Sequence, residues 1–290
     1  MAKLARLSDA PRRRLVTLIA CFAMSTAAGT EVVPAPDTGS LLDQGFSSLY
    51  NLDFAGAQSD FAAWQAWHPD DPMGPVSEAA GRLFSEFNRL GVLEAQFYEN
   101  DQAFAGRPKL APDPIVREQF MAAIGRAQNL ARARLASDPQ DHDSLFAMTL
   151  SSGLQADYAA LIEKRNLASL HFTREATNWA QQLLAVCHDC YDALLATGFS
   201  KYIIGSMAAP IRWILQLGGL PADKQAGIAD LEKTARYGRY LAPFARILLA
   251  IAYVREKDRA RALDLLTGLR QQFPANTLFS REIERLQSSH

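Results

Sequence analysis

The sequence predicts an all-α protein in which short helices follow one another as pairs. Segments with an apolar period of about 3.6 residues dominate the chain, and almost none alternates apolar and polar residues with β-branched enrichment. Glycine and proline mostly fall between these segments, as in residues 69–72 and 138–139. The 49% hydrophobic and 21% charged content is that of a globular domain. It excludes a disordered, collagen-like or disulfide-dense small protein.

The predicted helices are short and are separated by brief turns. In chain order they cover residues 39–50, 54–67, 75–97, 114–136, 142–153, 155–167, 170–186, 190–204, 209–217, 222–236, 241–255, 259–272 and 276–287. Gly91 is a candidate break within the third of these helices. The longest predicted loop covers residues 99–114 and contains Gly106 and three prolines.

The N-terminal segment has the pattern of an export signal. Arginines at 12–14 are followed by an apolar run over 15–24 and then by small residues, which is the order found in secretory signal peptides. The apolar run is too short to span a bilayer, which needs about 20 residues. We therefore expect residues 1–28 to be a signal peptide, residues 29–37 a flexible linker, and residues 38–290 the helical-repeat domain of an exported protein.

A lipid anchor is the alternative for the N-terminus. Residues 18–21 resemble the bacterial lipobox, in which the cysteine, here Cys21, is lipidated and becomes the mature N-terminus. Such an anchor would hold the protein at a membrane surface rather than across the membrane. Only six apolar positions precede Cys21, and the apolar run continues past it, which favours the cleaved form. A periplasmic and a membrane-anchored protein of a bacterial envelope both stay open.

The expected mature chain keeps two cysteines, Cys187 and Cys190, in the segment Cys-His-Asp-Cys. A c-type haem requires histidine directly after the second cysteine, where this chain has Tyr191. A closed zinc site needs four ligands, and the segment offers two thiolates and at most His188. A local disulfide in an oxidising compartment or a pair of buried thiols remains. No metal and no cofactor is predicted.

The last helix pair carries the clearest repeat. Its pattern is Arg246-x₂-Leu249-Ala250-x₂-Tyr253, then Ala262-x₃-Leu266, then Pro274. This resembles the tetratricopeptide repeat (TPR), in which an aromatic residue, Leu-Gly and Tyr precede Ala-x₃-Phe and a proline. Ala262 lies twelve positions after Ala250 and twelve before Pro274, which matches the internal offsets of the family. The departures are Arg246 at the aromatic position and Leu266 at the phenylalanine position.

The same template fits two further parts of the chain. In residues 38–69, the equivalent positions are occupied by Gly45, Ala57, Phe61 and Pro69. A third copy is interrupted, since Gly198 marks a first helix and Gly227 its partner, 29 positions apart instead of twelve. We expect the inserted apolar segment within 202–220 to form a buried helix that caps this repeat. A membrane-seeking hairpin is the alternative.

The resemblance implies a right-handed α-solenoid of TPR-like helix pairs with irregular central helices. In that family the first helices line a concave groove that binds a protein or peptide, and the repeats carry no catalytic residues. The groove positions of the family fall here on Tyr50, Phe46, Phe199, Tyr202, Ile251 and Arg255. Tyr50, Tyr202 and Arg255 are expected to be at least partly exposed, because tyrosine and arginine dominate binding hot spots.

Sequence motifs of enzymes are missing from the chain. It has no phosphate-binding glycine loop, no Gly-x-Ser-x-Gly elbow and no His-Glu-x-x-His helix. The formal net charge of −1 argues against a nucleic-acid binder. The sequence therefore predicts an exported, non-enzymatic scaffold that binds a protein or peptide in the cell envelope. The alternative is an envelope enzyme or transport-accessory component with a small-molecule pocket in the central block 141–237.

Overall fold

The computed structural model describes residues 38–93, 109–217 and 219–288. Over these ranges it contains twelve α-helices and no β-strand, so the predicted all-α class is confirmed. The helices are α1 (Thr38–Tyr50), α2 (Phe54–Trp67), α3 (Met73–Arg89), α4 (Pro114–Ser137), α5 (His142–Asp157), α6 (Asn166–Val186), α7 (Leu194–Gly205), α8 (Ala209–Leu217), α9 (Lys224–Tyr237), α10 (Ala242–Arg255), α11 (Arg259–Gln272) and α12 (Thr277–Ser288). The expected signal peptide, the linker and Cys21 lie outside the described residues.

Aspartate side chains fix the start of several helices. Asp53, Asp113 and Asp223 each accept a backbone N–H from the first turn of α2, α4 and α9, at 2.9, 2.8 and 3.0 Å. Each bond satisfies an amide that has no partner within its own helix, and losing such a cap costs about 0.5–2 kcal/mol. Pro114 stands at the first position of α4, where its missing N–H is not needed.

The first and last helix pairs pack as the repeat template predicts. Between α1 and α2, Gly45 lies so close to the buried Phe61 that a Cβ at this glycine would overlap the ring. Between α10 and α11, Ala250 and Ala262 are 3% and 0% exposed. Small side chains at these positions let the two helices of a pair approach closely while the core stays filled. The described domain therefore has TPR-like helix pairs at both ends.

The interrupted repeat is paired in space, although α8 lies between its two helices in sequence. A Cβ on Gly227 of α9 would lie 2.5 Å from the backbone nitrogen of Tyr202, and one on Gly198 of α7 would lie 2.8 Å from Cβ of Asp230. Lys201 Nζ donates to Asp230 Oδ2 at 2.6 Å beside this contact. Because backbone atoms occupy the space, only glycine fits at Gly227. The predicted pairing of these two helices is confirmed.

The central helices differ from the prediction in their boundaries. The expected helices 142–153 and 155–167 are a single helix, α5, followed by a π-helical turn over Tyr158–Ile162. Gly153 does not end the helix, since a glycine inside a helix costs only about 1 kcal/mol. Leu154, directly after it, is 7% exposed and carries the apolar packing onward.

Helix α3 ends at Arg89, earlier than the predicted helix 75–97. The candidate break at Gly91 is confirmed, because this residue has a φ of +70°, in the region that favours glycine. The Val92 N–H donates to the carbonyl oxygen of Phe87 at 2.8 Å and closes a Schellman-type helix end.

Candidate interaction surface

Two residues of the predicted groove belong to the core. Phe46 is 5% exposed, and its ring centroid lies 5.4 Å from that of Phe61 and 4.9 Å from that of Tyr240. Tyr202 is 2% exposed and packs against α9, with its hydroxyl donating to the carbonyl oxygen of Ala252 at 3.5 Å. This burial raises the pKa of the Tyr202 phenol. The expected exposure of Tyr202 is therefore wrong, and Phe46 is equally unable to contact a partner, because close helix packing covers both rings.

Tyr50 joins the N-terminal and C-terminal repeats of the described domain. Its hydroxyl donates to the carbonyl oxygen of Tyr240 at 2.8 Å, and its ring centroid lies 5.3 Å from that of Phe273. Beside it, Arg239 Nη2 lies 2.9 Å from Asp43 Oδ2. Tyr50 keeps part of its surface exposed, as expected. Its polar and aromatic contacts are nevertheless made within the chain, so the C-terminal repeat closes this part of the predicted groove.

The other predicted groove residues, Phe199, Ile251 and Arg255, keep part of their surface exposed. Phe199 packs beside the core formed by the last repeats. Arg255 makes a side-chain hydrogen bond to the Tyr202 hydroxyl. Contact of these three residues with a partner stays a prediction.

The inserted helix α8 is exposed and not buried. Ile211, Trp213 and Leu217 are 54%, 65% and 71% exposed. Trp213 and Leu217 are four positions apart and therefore lie next to each other on one side of the helix. The expected buried capping helix is wrong, because α7 and α9 already cover each other and leave α8 outside their contact.

Local hydrogen bonds define the position of α8. Near its start, Arg212 Nη1 donates to the carbonyl oxygen of Gly205 at 3.4 Å. After its end, Gly219 has a φ of +83°, and the Leu220 N–H donates to the carbonyl oxygen of Leu215 at 3.1 Å. This is the Schellman arrangement of a helix C-terminus, which requires the left-handed conformation that glycine adopts readily. Leu220 is 2% exposed and anchors the segment in the core.

The apolar surface of α8 is the strongest candidate interaction surface in the described ranges. The other large exposed apolar side chains of the described ranges, Trp67, Ile115, Leu167 and Tyr237, are far apart in the sequence and lie on different helices. On α8 three of them fall within 211–217, and Arg212 is the only charge in 202–220. Few charges and an exposed tryptophan are typical of the centre of a protein interface. The described helices include none that is long and apolar enough to cross a membrane.

The two cysteines form a local disulfide in the structure, at the end of α6. His142, the first residue of α5, lies beside them, with its ring nitrogen and both sulfur atoms within 4.8 Å of one another. The sequence pattern suggested His188 as the third possible ligand and did not indicate His142. The contact could have been predicted from the helix order, because consecutive antiparallel helices bring the start of α5 next to the end of α6.

The central block borders an open depression of about 460 Å³ lined by Asp70, Leu130, Arg134 and Asp141, among others. Arg134 Nε and Asp141 Oδ2 pair at 2.7 Å. These two lining residues therefore form an ion pair with each other. The alternative of a small-molecule pocket within 141–237 stays a prediction.

The last residue of α5, Asp157, makes stability depend on pH. Burial raises the pKa of its carboxyl to about 7, whereas an unfolded chain ionises aspartate near pH 4. Between these values the folded state holds the extra proton, so this group lowers stability as pH rises from about 4 to 7. The full difference between these pKa values corresponds to about 4 kcal/mol, but Asp157 keeps part of its surface in solvent, which weakens the effect. We therefore expect Asp157→Asn to leave stability unchanged at pH 4 and to raise it by at least about 1 kcal/mol at pH 8. Urea unfolding at both pH values measures this gain.

Asp264→Asn is the matched control, because Asp264 is exposed on α11. An exposed substitution of this kind should change stability by less than about 0.5 kcal/mol at either pH. An equal gain for Asp157→Asn at pH 4 and pH 8 would contradict the burial of its charge.

Comparisons with known proteins yield one similar solved structure. No protein-family model and no curated protein matches the chain. A solved structure of a thermophilic TPR protein from Thermus thermophilus is similar over 86% of this chain and 98% of its own, with 14% identical residues and a TM-score of 0.43. The TPR-like helix pairs of this chain are established by their own packing.

Proposed function

We propose that this protein is an exported, non-catalytic helical-repeat scaffold that binds a protein partner through the apolar face of α8. The observation that carries the proposal is the exposure of Trp213 and Leu217, which lie side by side on a helix held outside the repeat packing. A partner that buried one of these side chains completely would gain about 1.5–3 kcal/mol of binding free energy from it.

A protein partner fits α8 better than a lipid surface does. Helices that lie in a membrane interface carry many lysines and arginines on their polar face. Helix α8 has only Arg212, whose guanidinium donates to the carbonyl oxygen of Gly205. A surface with a single charge and one large aromatic residue matches the centre of a protein interface.

Affinity capture from an envelope extract of the native host tests this proposal. Wild-type protein, the double variant Trp213→Ala/Leu217→Ala and the control Trp67→Ala serve as baits. A partner retained by wild type and by Trp67→Ala, and lost by the double variant, supports the proposal. A partner that all three baits retain equally would contradict the assignment to α8.

Vesicles of phosphatidylethanolamine and phosphatidylglycerol separate the lipid alternative from the protein partner. We expect the wild-type protein to stay in the supernatant when such vesicles are sedimented. Co-sedimentation that the double variant abolishes would show that α8 binds lipid and would overturn the choice of partner.

Export has its own measurement. The intact mass of the protein from its native host should correspond to a chain that lacks 28 residues or, for a lipoprotein, to a chain that begins at Cys21 and carries added lipid mass. A cytosolic protein that still carries Met1 would refute export and leave the proposal for α8 standing.

A further inference from the structure

We infer that the disulfide at the end of α6 is the oxidised form of a metal site, in which reduced Cys187 and Cys190 bind a zinc-like divalent cation together with His142. The site would thus be open to metal in one redox state and closed in the other. This inference does not depend on the role proposed for α8.

The three side chains already converge. One ligand atom from each of His142, Cys187 and Cys190 lies within 4.8 Å of the other two. In a tetrahedral site with Zn–S bonds of about 2.3 Å and Zn–N bonds of about 2.0 Å, ligand atoms stand roughly 3–4 Å apart. Once the sulfur–sulfur bond is broken, rotation of these side chains brings the three atoms to that spacing without moving the helices.

The helices hold the site in place from both sides. One turn into α5, Leu145 is 2% exposed, and one turn before the end of α6, Leu183 is 1% exposed. The Cys187 N–H donates to the carbonyl oxygen of Leu183 at 2.8 Å. The backbones of His142 and Cys187 are therefore each held one turn from a buried core residue. His142 itself is exposed, so its ring is free to turn towards a metal ion.

The donor set selects the class of metal. Two thiolates and one imidazole suit zinc and related ions, whereas magnesium and calcium prefer oxygen ligands. An oxygen of the Asp189 carboxylate lies 3.3 Å from the Cys187 sulfur and so places an oxygen donor beside one of the three ligands. Three protein ligands with a weaker fourth resemble an open zinc site more than a closed structural one.

The change between the two states balances with a dithiol as reductant. The dithiol supplies two electrons and two protons, the sulfur–sulfur bond breaks, and two cysteine thiols form while the dithiol becomes a disulfide. Binding of the cation then forms two metal–sulfur bonds and releases the two thiol protons to solvent. Once the metal is removed, exchange with a small-molecule disulfide restores the protein disulfide and reduces that molecule to its thiols.

Cobalt(II) titration tests the inference on the full chain carrying Cys21→Ser, so that only two cysteines remain. The protein is reduced with dithiothreitol, freed of reductant under argon and titrated with Co²⁺. We expect one equivalent to bind, with a thiolate-to-cobalt charge-transfer band that Zn²⁺ abolishes. The oxidised protein should bind none.

His142→Ala and His188→Ala form a matched pair, because both histidines are exposed near the cysteines. His142→Ala should weaken Co²⁺ binding more than about tenfold, since even outer-shell ligand partners contribute that much. His188→Ala should leave binding unchanged. No Co²⁺ binding by the reduced Cys21→Ser protein, equal effects of the two histidine variants, or loss of helical circular dichroism on reduction would each overturn the inference.

Discussion

Replacing Gly227 by alanine is expected to lower the free energy of unfolding by about 3 kcal/mol. The added Cβ would lie 2.5 Å from the backbone nitrogen of Tyr202 and 2.7 Å from the carbonyl oxygen of Gly198. Both atoms belong to the backbone of α7 and cannot rotate away, so α7 and α9 must separate. Urea unfolding followed by circular dichroism measures the loss.

Gly268→Ala is the matched control, because Gly268 also lies inside a helix but a Cβ there would meet no atom within 4 Å. Alanine is a better helix former, so this variant should gain up to about 1 kcal/mol. The two substitutions are chemically identical and are expected to act in opposite directions. Equal effects would show that α7 and α9 do not pack as a repeat.

Trp213→Ala is expected to weaken binding of the captured partner by about 2 kcal/mol, or roughly 30-fold in Kd. Trp213 is 65% exposed in the unbound protein. Removing it should therefore change stability by less than about 0.5 kcal/mol. Calorimetric titration and thermal unfolding of the same samples separate a loss of contact from a loss of fold.

Trp67→Ala tests whether any exposed tryptophan would give the same result. Trp67 is 52% exposed at the end of α2, away from α8 in sequence and without exposed apolar neighbours of comparable size beside it in the chain. Its removal should leave Kd unchanged. A loss of affinity equal to that of Trp213→Ala would assign the effect to general surface hydrophobicity and not to α8.

Local patterns in the sequence predicted the helix pairs well. Ala250 and Ala262 are the buried small residues that the repeat requires, and Gly198 and Gly227 mark a close contact across an insertion. A small residue at a fixed offset reports directly how near two backbones come. For this reason the pairing of α7 with α9 could be predicted although α8 separates them.

Exposure was harder to predict, because it depends on which neighbour covers a helix face. Tyr202 has the sequence position of a groove residue, yet α9 covers it. Segment 202–220 is apolar enough for a core, yet Trp213 and Leu217 of α8 face solvent. A repeat pattern identifies the inner side of a helix but does not say whether an inserted element or a distant repeat fills the space.

The contact between His142 and the two cysteines shows the same limit for chemistry. The sequence motif suggests His188 as the third ligand, because this residue lies between Cys187 and Cys190. The nearby ligand instead comes from the start of α5. Only the packing of α5 against α6 brings it there, and no short-range spacing encodes that contact.

The central claim is that a partner binds α8 and not the concave side of the repeats, and site-specific photo-crosslinking tests it most directly. A photoreactive amino acid is placed at Trp213 on α8 or at Ile251, a partly exposed position of the predicted groove. We predict that the captured partner crosslinks at position 213 and not at position 251. Crosslinking at position 251 alone would contradict the claim and return the binding site to the groove.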